Sequence, residues 1–213
     1  MPFTFADLEE RLLIGSTLVE GSTLTEDEAR AVLAGRTIAG HPIREHREIL
    51  GHRAATAWLI GELGRAPFVS VDLVCGFHER LMVGLSEEAG RFKSRRNFVL
   101  RPDGTRVEYL HPARVPDAMR EWLDRFNAVP SDEAASGAAK LYGDFQRIHP
   151  FEDGNGRLGR MLLAYWLHWK HGLAFRFVLR DRLEHLRALE ASDVGDEGPL
   201  TAFFGARNTG EAG

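Results

Sequence analysis

HPFEDGNGRLGR, the stretch from His149 to Arg160, is the most informative part of this chain. Residues 131–148 before it and residues 157–171 after it both carry apolar side chains at helical spacing. The run from Met161 to Leu167 is apolar almost throughout, which is typical of a helix buried on most sides. The stretch is therefore predicted to be a loop that joins two core helices.

The glycines and arginines of this loop indicate an anion site. Gly154 and Gly156 can adopt positive φ and turn backbone N–H groups toward one point, and Asn155 adds an amide donor. Such a nest at the start of a helix is a favourable place for an anion. Arg157 and Arg160 lie three residues apart at that helix start, where the helix dipole disfavours cations. An anion with several negative charges, such as a polyphosphate, best explains both arginines.

Two further side chains of the loop suggest a reaction at that anion. Asp153 would repel phosphates unless a hard cation such as Mg²⁺ bridged them, and His149 can accept a proton near neutral pH. These are the parts of a phosphoryl-type transfer. Each has a simpler interpretation: a plain Gly-Asn-Gly turn, a structural histidine, an N-capping aspartate, and arginines that are solvated or paired with Glu152. The loop is not a P-loop, because no Gly-Lys-Ser/Thr follows.

The stretch resembles the signature of the Fic family, H-P-F-x-x-G-N-G-R-x-x-R, and every fixed position of that signature is present. The resemblance covers most of the chain and is clearest from about Gly15 to Leu167. It implies that the loop binds ATP and Mg²⁺ and transfers AMP to a protein hydroxyl, with release of pyrophosphate.

The resemblance also implies a role for each residue of the signature. His149 would deprotonate the attacking Ser, Thr or Tyr of a target protein, and Asp153 would hold Mg²⁺. Phe151 would anchor the loop in the core. The remaining residues of the signature would bind the phosphates of ATP: Gly154, Asn155, Gly156, Arg157 and Arg160. Arg160 would reach the γ-phosphate.

A second segment, from Asn97 to Leu110, departs from the helical pattern. Two short β-prone runs flank Pro102-Asp103-Gly104, which predicts a β-hairpin. The hairpin resembles the Fic flap, which aligns a target segment by strand addition. That resemblance implies target-positioning roles for Phe98, Val99, Leu100 and Tyr109. A plain surface hairpin is the simpler alternative.

A third segment, Ser16-Thr17-Leu18-Val19-Glu20-Gly21, lies near the N-terminus. In a helix, Ser16 and Glu20 share a face, and Gly21 would end that helix. The simpler interpretation is a short amphipathic helix with an exposed glutamate. However, the segment resembles the family's inhibitory motif, S/T-x-x-x-E-G/N, in the subclass with an N-terminal inhibitory helix. The resemblance implies that Glu20 pairs with Arg160 and leaves ATP in an unproductive pose.

The rest of the chain is predicted to be mainly α-helical, and the fold class is a Fic-type helical bundle with a small hairpin flap. A helix from about Pro42 to Leu63 is expected to bury Ile43, His46, Leu50, Ala54, Ala57 and Trp58. Further helices are expected near 25–34, from Ser70, at 115–126, 182–190 and 199–204. The whole chain, 1–213, is expected to form one domain, with an inhibitory region at about 10–35, a core at about 40–192 and a C-terminal helix and tail at 193–213. The tail from Asn208 is expected to fray.

Composition narrows the function classes. The 213 residues include 27 basic and 31 acidic side chains, and the net charge of −4 offers no general attraction for nucleic acid. The single cysteine excludes a disulfide framework, and no apolar stretch is long enough for a membrane span. The acidic N-terminus is unlike a signal peptide, so a cytoplasmic location is expected.

The sequence thus predicts an autoinhibited protein adenylyltransferase that uses ATP and Mg²⁺ on a target protein or on itself. A homodimer is possible. The alternatives are removal of AMP or transfer of another phosphate-containing group, a non-enzymatic nucleotide-binding module, and a DNA-associated regulator.

Overall fold

The structure, a computed structural model, describes residues 12–65, 67–100, 104–130, 133–175, 177 and 181–210. Its helices are α1 (Ile14–Leu18), α2 (Glu26–Leu33), α3 (Ile43–Arg65), α4 (Val71–Leu81), α5 (Val115–Asn127), α6 (Ala134–Ile148), α7 (Asn155–His171), α8 (Arg182–Asp193) and α9 (Gly198–Gly205). Its strands are β1 (Phe98–Leu100), β2 (Arg106–Glu108), β3 (Leu173–Phe175) and β4 (Asn208–Gly210). The mainly helical fold and the hairpin are as predicted from the sequence.

Local sequence signals account for several helix boundaries. Thr25 and Glu28 form a capping box at the start of α2, with each side chain bonded to the other's backbone N–H. Ser70 caps α4 by accepting a hydrogen bond from the Leu73 N–H. Ser131, expected to open α6, lies outside the described residues.

The core is built around α7, which is buried along most of its length. It packs against α6 and, at its N-terminal half, against α4 and α1. A separate, smaller apolar cluster holds α1 and α2 on α3, and it consists of Leu13, Ile14, Leu18, Leu24, Ala29, Val32 and Ile49. The N-terminal segment is therefore an integral layer of the fold, pressed against the start of α7.

The sequence-based prediction of which residues α3 buries is largely wrong. Ile43 is 61% exposed and Leu50 is 38% exposed, and Ala54 and Ala57 are exposed as well. The helix instead buries a face that includes Glu45, His46, Ile49, His52, Ala55, Thr56 and Leu59. Polar side chains occupy this face because each finds a partner inside the protein, which hydrophobic periodicity does not register.

Of the two small sheets, one was predicted from the sequence and the other was not. Strands β1 and β2 form the expected antiparallel hairpin, with Val99 opposite Val107; residues 101–103 of its predicted turn lie outside the described residues. Strand β4 pairs with β3, with Ala174 opposite Thr209, so the expectation that the tail frays from Asn208 is wrong. Residues 211–213 are not described. Within the described part of the chain, no helix is long and apolar enough to cross a membrane.

Candidate active site

The signature loop begins with an unusual backbone conformation. His149 ends α6 with φ 47° and ψ 63°, in the left-handed region, and it is the one non-glycine residue with positive φ in the described part of the chain. Such a conformation costs of order 1 kcal/mol and persists only where surrounding contacts enforce it. Gly154 then opens α7 at φ 79°. The loop thus reverses the chain between two antiparallel core helices.

Asn155 shapes the loop from within. Its side-chain oxygen accepts from the Phe151 N–H at 2.9 Å, and its amide donates to the Phe151 carbonyl at 2.8 Å. The sequence suggested an amide donor for an anion, but these bonds already engage that amide. Any part of Asn155 in anion binding falls to its backbone N–H.

Phe151 fastens the loop to α4. Its buried ring stacks on His78, with 3.8 Å between ring centroids. His78 Nδ1 accepts from the Gly90 N–H, so Nε2 carries the proton and donates to the Asp153 carbonyl at 3.0 Å. Burial lowers the pKa of His78 to about 4, which keeps this bridging ring neutral. No sequence signal pointed to His78.

Arg157 lies at the bottom of a pocket of about 260 Å³. It is only 2% exposed, and its Nε and Nη1 have no hydrogen-bond partner. Its Nη2 contacts Met82 Sδ at 3.5 Å and Asp153 Oδ1 at 3.7 Å. A buried guanidinium with unsatisfied N–H groups is costly, and an anionic ligand would satisfy those groups.

Arg160, one turn along α7, is equally buried but fully engaged. Its Nε donates to Ser16 Oγ and its Nη2 to the Ser16 carbonyl, both at 2.8 Å, and Nη2 also bonds Glu20 Oε1. Burial is the largest single influence on Arg160 and opposes its charge, but Glu20 and Tyr142 together outweigh it, and the pKa of Arg160 is raised. Glu20 also lies directly over Gly156, where a Cβ would collide with its carboxylate.

The structure corrects the expected shape of the N-terminal segment. Helix α1 ends at Leu18, so Glu20 lies in the following turn rather than within the helix, and Gly21 adopts φ 101°. Because the chain turns here, the Glu20 carboxylate reaches Arg160 from beyond the helix end.

Two side chains of α3 that the sequence analysis missed hold this segment in place. Glu45 accepts hydrogen bonds from Ser22 Oγ and from the N–H and Oγ1 of Thr23, all at 3.0 Å. His52 Nδ1 lies 3.0 Å from Thr17 Oγ1, which donates to the Leu13 carbonyl, so Nδ1 carries the proton. The only feature of the sequence that could have indicated these two side chains is that they are polar residues within an otherwise regular helical pattern.

His149 lies under the flap. Its ring stacks on Tyr109 at 3.7 Å between centroids and an interplanar angle of 5°. Nδ1 is 3.2 Å from the Gln146 carbonyl and therefore carries the proton, which leaves the lone pair on Nε2. Burial lowers the pKa of His149 to about 4, so the ring is neutral at pH 7 and can accept a proton.

The flap presents apolar side chains to solvent. Phe98, Val99 and Leu100 on β1 are all exposed, and β1 pairs only with β2 among the described strands. The Arg106 guanidinium covers the Phe98 ring at 4.0 Å. A short exposed strand of this kind offers backbone groups to an extended partner.

Asp153 is the candidate metal ligand. Its side chain is half exposed beside the pocket, where Oδ2 accepts from Arg44 Nη2 at 2.8 Å and Oδ1 accepts from the Gly154 N–H at 2.6 Å. No cluster of three His, Cys, Asp or Glu side chains suited to a metal occurs among the described residues. The pocket beside Asp153 is lined by three further carboxylates, those of Glu20, Glu45 and Glu48. Carboxylates suit Mg²⁺, which binds one or two of them together with substrate phosphates and water.

Comparison with known proteins identifies one family within the chain. Residues 68–167 match the Fic/DOC family. The protein adenylyltransferase fic-1 of Caenorhabditis elegans is 29% identical over 189 residues, which cover 87% of this chain and 37% of that protein. The protein adenylyltransferase Fic of Nematostella vectensis is 28% identical over 199 residues, covering 88% and 44%. The chain spans about two fifths of the length of these curated relatives.

Solved structures share the fold. A Fic-domain-containing signalling protein from Bacteroides thetaiotaomicron superimposes with a TM-score of 0.86 at 23% identity, covering 97% of this chain and 87% of that one. A fragment of Fic-1 from Caenorhabditis elegans superimposes with a TM-score of 0.82 at 24% identity, covering 96% and 63%. At these identities the likeness establishes the helical fold.

Proposed function

We propose that this chain, which carries a domain of the Fic/DOC family over residues 68–167, transfers AMP from ATP to a protein hydroxyl and is restrained by its own Glu20. The observation that carries the proposal is the buried Arg157, which lines a pocket together with Asp153 and whose Nε and Nη1 have no hydrogen-bond partner. The adenylyltransferase names of the curated relatives support the same reaction.

His149 is the general base in this proposal. Its Nε2 takes the proton of a Ser, Thr or Tyr hydroxyl as that oxygen forms a bond to the α-phosphorus. The bond from the α-phosphorus to the bridging oxygen breaks, and pyrophosphate leaves with the electron pair. Because the proton of Nδ1 is committed to Gln146, the ring is held in the tautomer that can act as a base.

The remaining loop residues stabilise charge. Arg157 and the backbone N–H groups of Gly154, Asn155 and Gly156 bind the phosphates, while Asp153 releases Arg44 to hold Mg²⁺. When bound, Mg²⁺ neutralises charge on the phosphate oxygens. Phe151, counted with the nucleotide-binding residues of the loop, supports them by keeping the loop in shape through its buried ring.

Glu20 acts as the brake. Its bond to Arg160 removes the second signature arginine from the γ-phosphate, and its carboxylate over Gly156 repels a triphosphate. Ser16 strengthens this arrangement from the other side of the guanidinium, and Gly21 allows the turn that brings Glu20 there.

The flap completes the site in this proposal. Phe98, Val99 and Leu100 would bind an extended segment of the target beside β1, and Tyr109 would keep His149 in register with it. The target is a separate protein or the chain itself. A homodimer and a cytoplasmic location are further proposals that the mechanism does not require.

Intact-protein mass spectrometry after incubation with ATP and Mg²⁺ tests the proposal. We expect an adduct of the mass of AMP on Glu20→Gly, at least tenfold more than on the parent, and none when His149→Ala is added. Glu26→Gly is the matched control, because it removes an exposed carboxylate of the same N-terminal region and leaves Arg160 engaged.

If no variant forms the adduct, a lysate incubated with labelled ATP shows whether a separate target is required. ATP binding without transfer in either assay would identify a nucleotide-binding module instead. Loss of AMP from a modified target in the presence of the parent, but not of Glu20→Gly, would identify the reverse reaction.

A further inference from the structure

A buried lysine lies beneath the candidate base. Lys93 is 3% exposed, and its Nζ donates to Asn97 Oδ1 at 2.7 Å and to the Ile148 carbonyl at 3.2 Å. Both acceptors are neutral, so the ammonium loses hydration without gaining a carboxylate in these bonds. Burial accordingly lowers the pKa of Lys93 to about 8.

The position of this lysine explains why such a cost is tolerated. Ile148 is the last residue of α6, and its carbonyl lacks a partner within the helix because the chain reverses at His149. A cation at this point satisfies the carbonyl and complements the negative end of the helix dipole. The bond is therefore made one residue before the left-handed turn.

The same segment is joined to the loop by two more hydrogen bonds. The Lys93 N–H donates to the Pro150 carbonyl at 2.9 Å, and Asn97 Nδ2 donates to the Phe151 carbonyl at 3.1 Å. Lys93 and Asn97 thus contact the carbonyls on both sides of His149.

The flap grows directly out of this segment. Strand β1 begins at the residue after Asn97, and the Asn97 carbonyl accepts from the Tyr109 N–H at 3.2 Å. Tyr109 in turn stacks on the His149 ring, and the Lys93 ammonium lies 5.8 Å from the Tyr109 ring centroid. A continuous set of contacts therefore runs from the flap through Lys93 to the backbone of the base.

We propose that Lys93 is a positioning residue that, by joining Asn97 at the foot of the flap to the Ile148 carbonyl, holds His149 in its left-handed turn beneath Tyr109. This inference rests on the proposed role of His149 as the base. It makes the geometry of the base depend on the flap, so a target segment that binds the flap also settles the position of the imidazole.

The charges around His149 set the expected response to Lys93→Met. Burial is the largest influence and lowers the pKa of His149, while the hydrogen bond to the Gln146 carbonyl raises it. The charge of Lys93 also lowers this pKa, and the charges of Glu20 and Asp153 raise it. Loss of Lys93 removes one cation and loosens the stack. We therefore expect the pKa of His149 to rise toward the ordinary value of 6.5.

The experiment combines NMR of the histidine ring with kinetics. The His149 ring protons, assigned by their absence in His149→Ala, are followed over pH in the parent and in Lys93→Met. Stacking on Tyr109 shifts these signals upfield, so we expect the upfield shift to be lost and the titration midpoint to rise by at least one pH unit. In the Glu20→Gly background, kcat should fall ten- to hundredfold while KM for ATP changes less than threefold.

Three variants separate positioning from general stability. Lys170→Met is the matched control, because Lys170 Nζ donates at 2.9 Å to the carbonyl of Asn127, the last residue of α5, remote from His149. It should change the melting temperature without moving the His149 signals. Lys93→Arg should recover most of kcat, and Lys93→Gln gives a milder test should Lys93→Met not fold.

Unchanged His149 signals and titration in a folded Lys93→Met or Lys93→Gln protein would overturn the proposal, as would an equal change in Lys170→Met. The NMR arm does not require transfer activity. If Glu20→Gly transfers AMP neither to itself nor to a lysate protein, the proposed function fails while the positioning of His149 is still measured.

Discussion

Arg157 and Arg160 lie three residues apart on α7, and each is 2% exposed, yet their surroundings differ completely. Arg157 lines a pocket and leaves two buried N–H groups without partners, whereas Arg160 is bonded to Ser16 and Glu20. The difference arises outside α7, because the N-terminal layer accepts hydrogen bonds from Arg160 and, among the described residues, gives no partner to Nε or Nη1 of Arg157. A helix can thus carry two equally buried arginines, of which one is paired within the protein and the other keeps two N–H groups without partners.

The difference between the two arginines should have its largest effect on the free energy of unfolding of their variants. Arg160→Met leaves the Ser16 carbonyl and hydroxyl without their donor, so we expect the free energy of unfolding to fall by about 2–3 kcal/mol. Arg157→Met removes a buried cation with unsatisfied N–H groups, and its stability should equal or exceed that of the parent. Urea denaturation at neutral pH measures both. Equal losses for the two variants would contradict the distinction.

The pH dependence of stability sharpens the comparison, because His52 lies near both arginines. Burial and then the charges of Arg157 and Arg160 lower the pKa of His52 well below 6.5. The unfolded chain therefore takes up the proton first, and stability is present above pH 6.5 and lost as the pH falls. For this one group the loss is about 1.4 kcal/mol per pH unit below 6.5.

His52→Asn isolates that contribution, since its amide can still donate to Thr17 but does not titrate. Urea denaturation at pH 6.5 and 5.5 should show a smaller decline for His52→Asn than for the parent, by about 1 kcal/mol. Parallel declines would show that His52 does not carry this dependence.

The smallest expected effect comes from a variant, Glu45→Gln, that weakens the N-terminal turn covering Arg160. Glu45→Gln removes the charge that accepts from Ser22 and Thr23, so the turn carrying Glu20 should loosen and basal transfer of AMP should rise about fivefold, equivalent to about 1 kcal/mol. The assay is adduct formation by mass spectrometry. Glu62→Gln on the same helix, where Glu62 pairs with Arg65, should leave transfer unchanged; a similar rise in both variants would remove the explanation.

Much of the architecture was predictable because it depends on local signals. The capping box at Thr25, the hairpin of residues 98–108 and the reversal at Gly154 each rest on residues close together in sequence. The buried run of α7 was predictable too, because it is apolar on every side. The resemblance of Ser16–Gly21 to an inhibitory motif also anticipated the contact between Glu20 and Arg160.

The errors have a common physical cause. The buried face of α3 contains Glu45 and His52, whose partners lie about 23 and 35 residues away in sequence. Strand β4 pairs with a strand about 35 residues earlier. Neither relation leaves a periodic pattern, because a polar group or a short strand becomes favourable only when its distant partner is already in place.

The linear order of residues was sufficient to specify a helical fold, a loop suited to a polyphosphate and a hairpin beside it. Tertiary packing alone separated Arg157 from Arg160, turned the Asn155 amide inward, and placed Lys93 beneath His149. Local preferences follow from neighbouring residues, but the accessibility and partners of a charged group follow from which distant segments cover it.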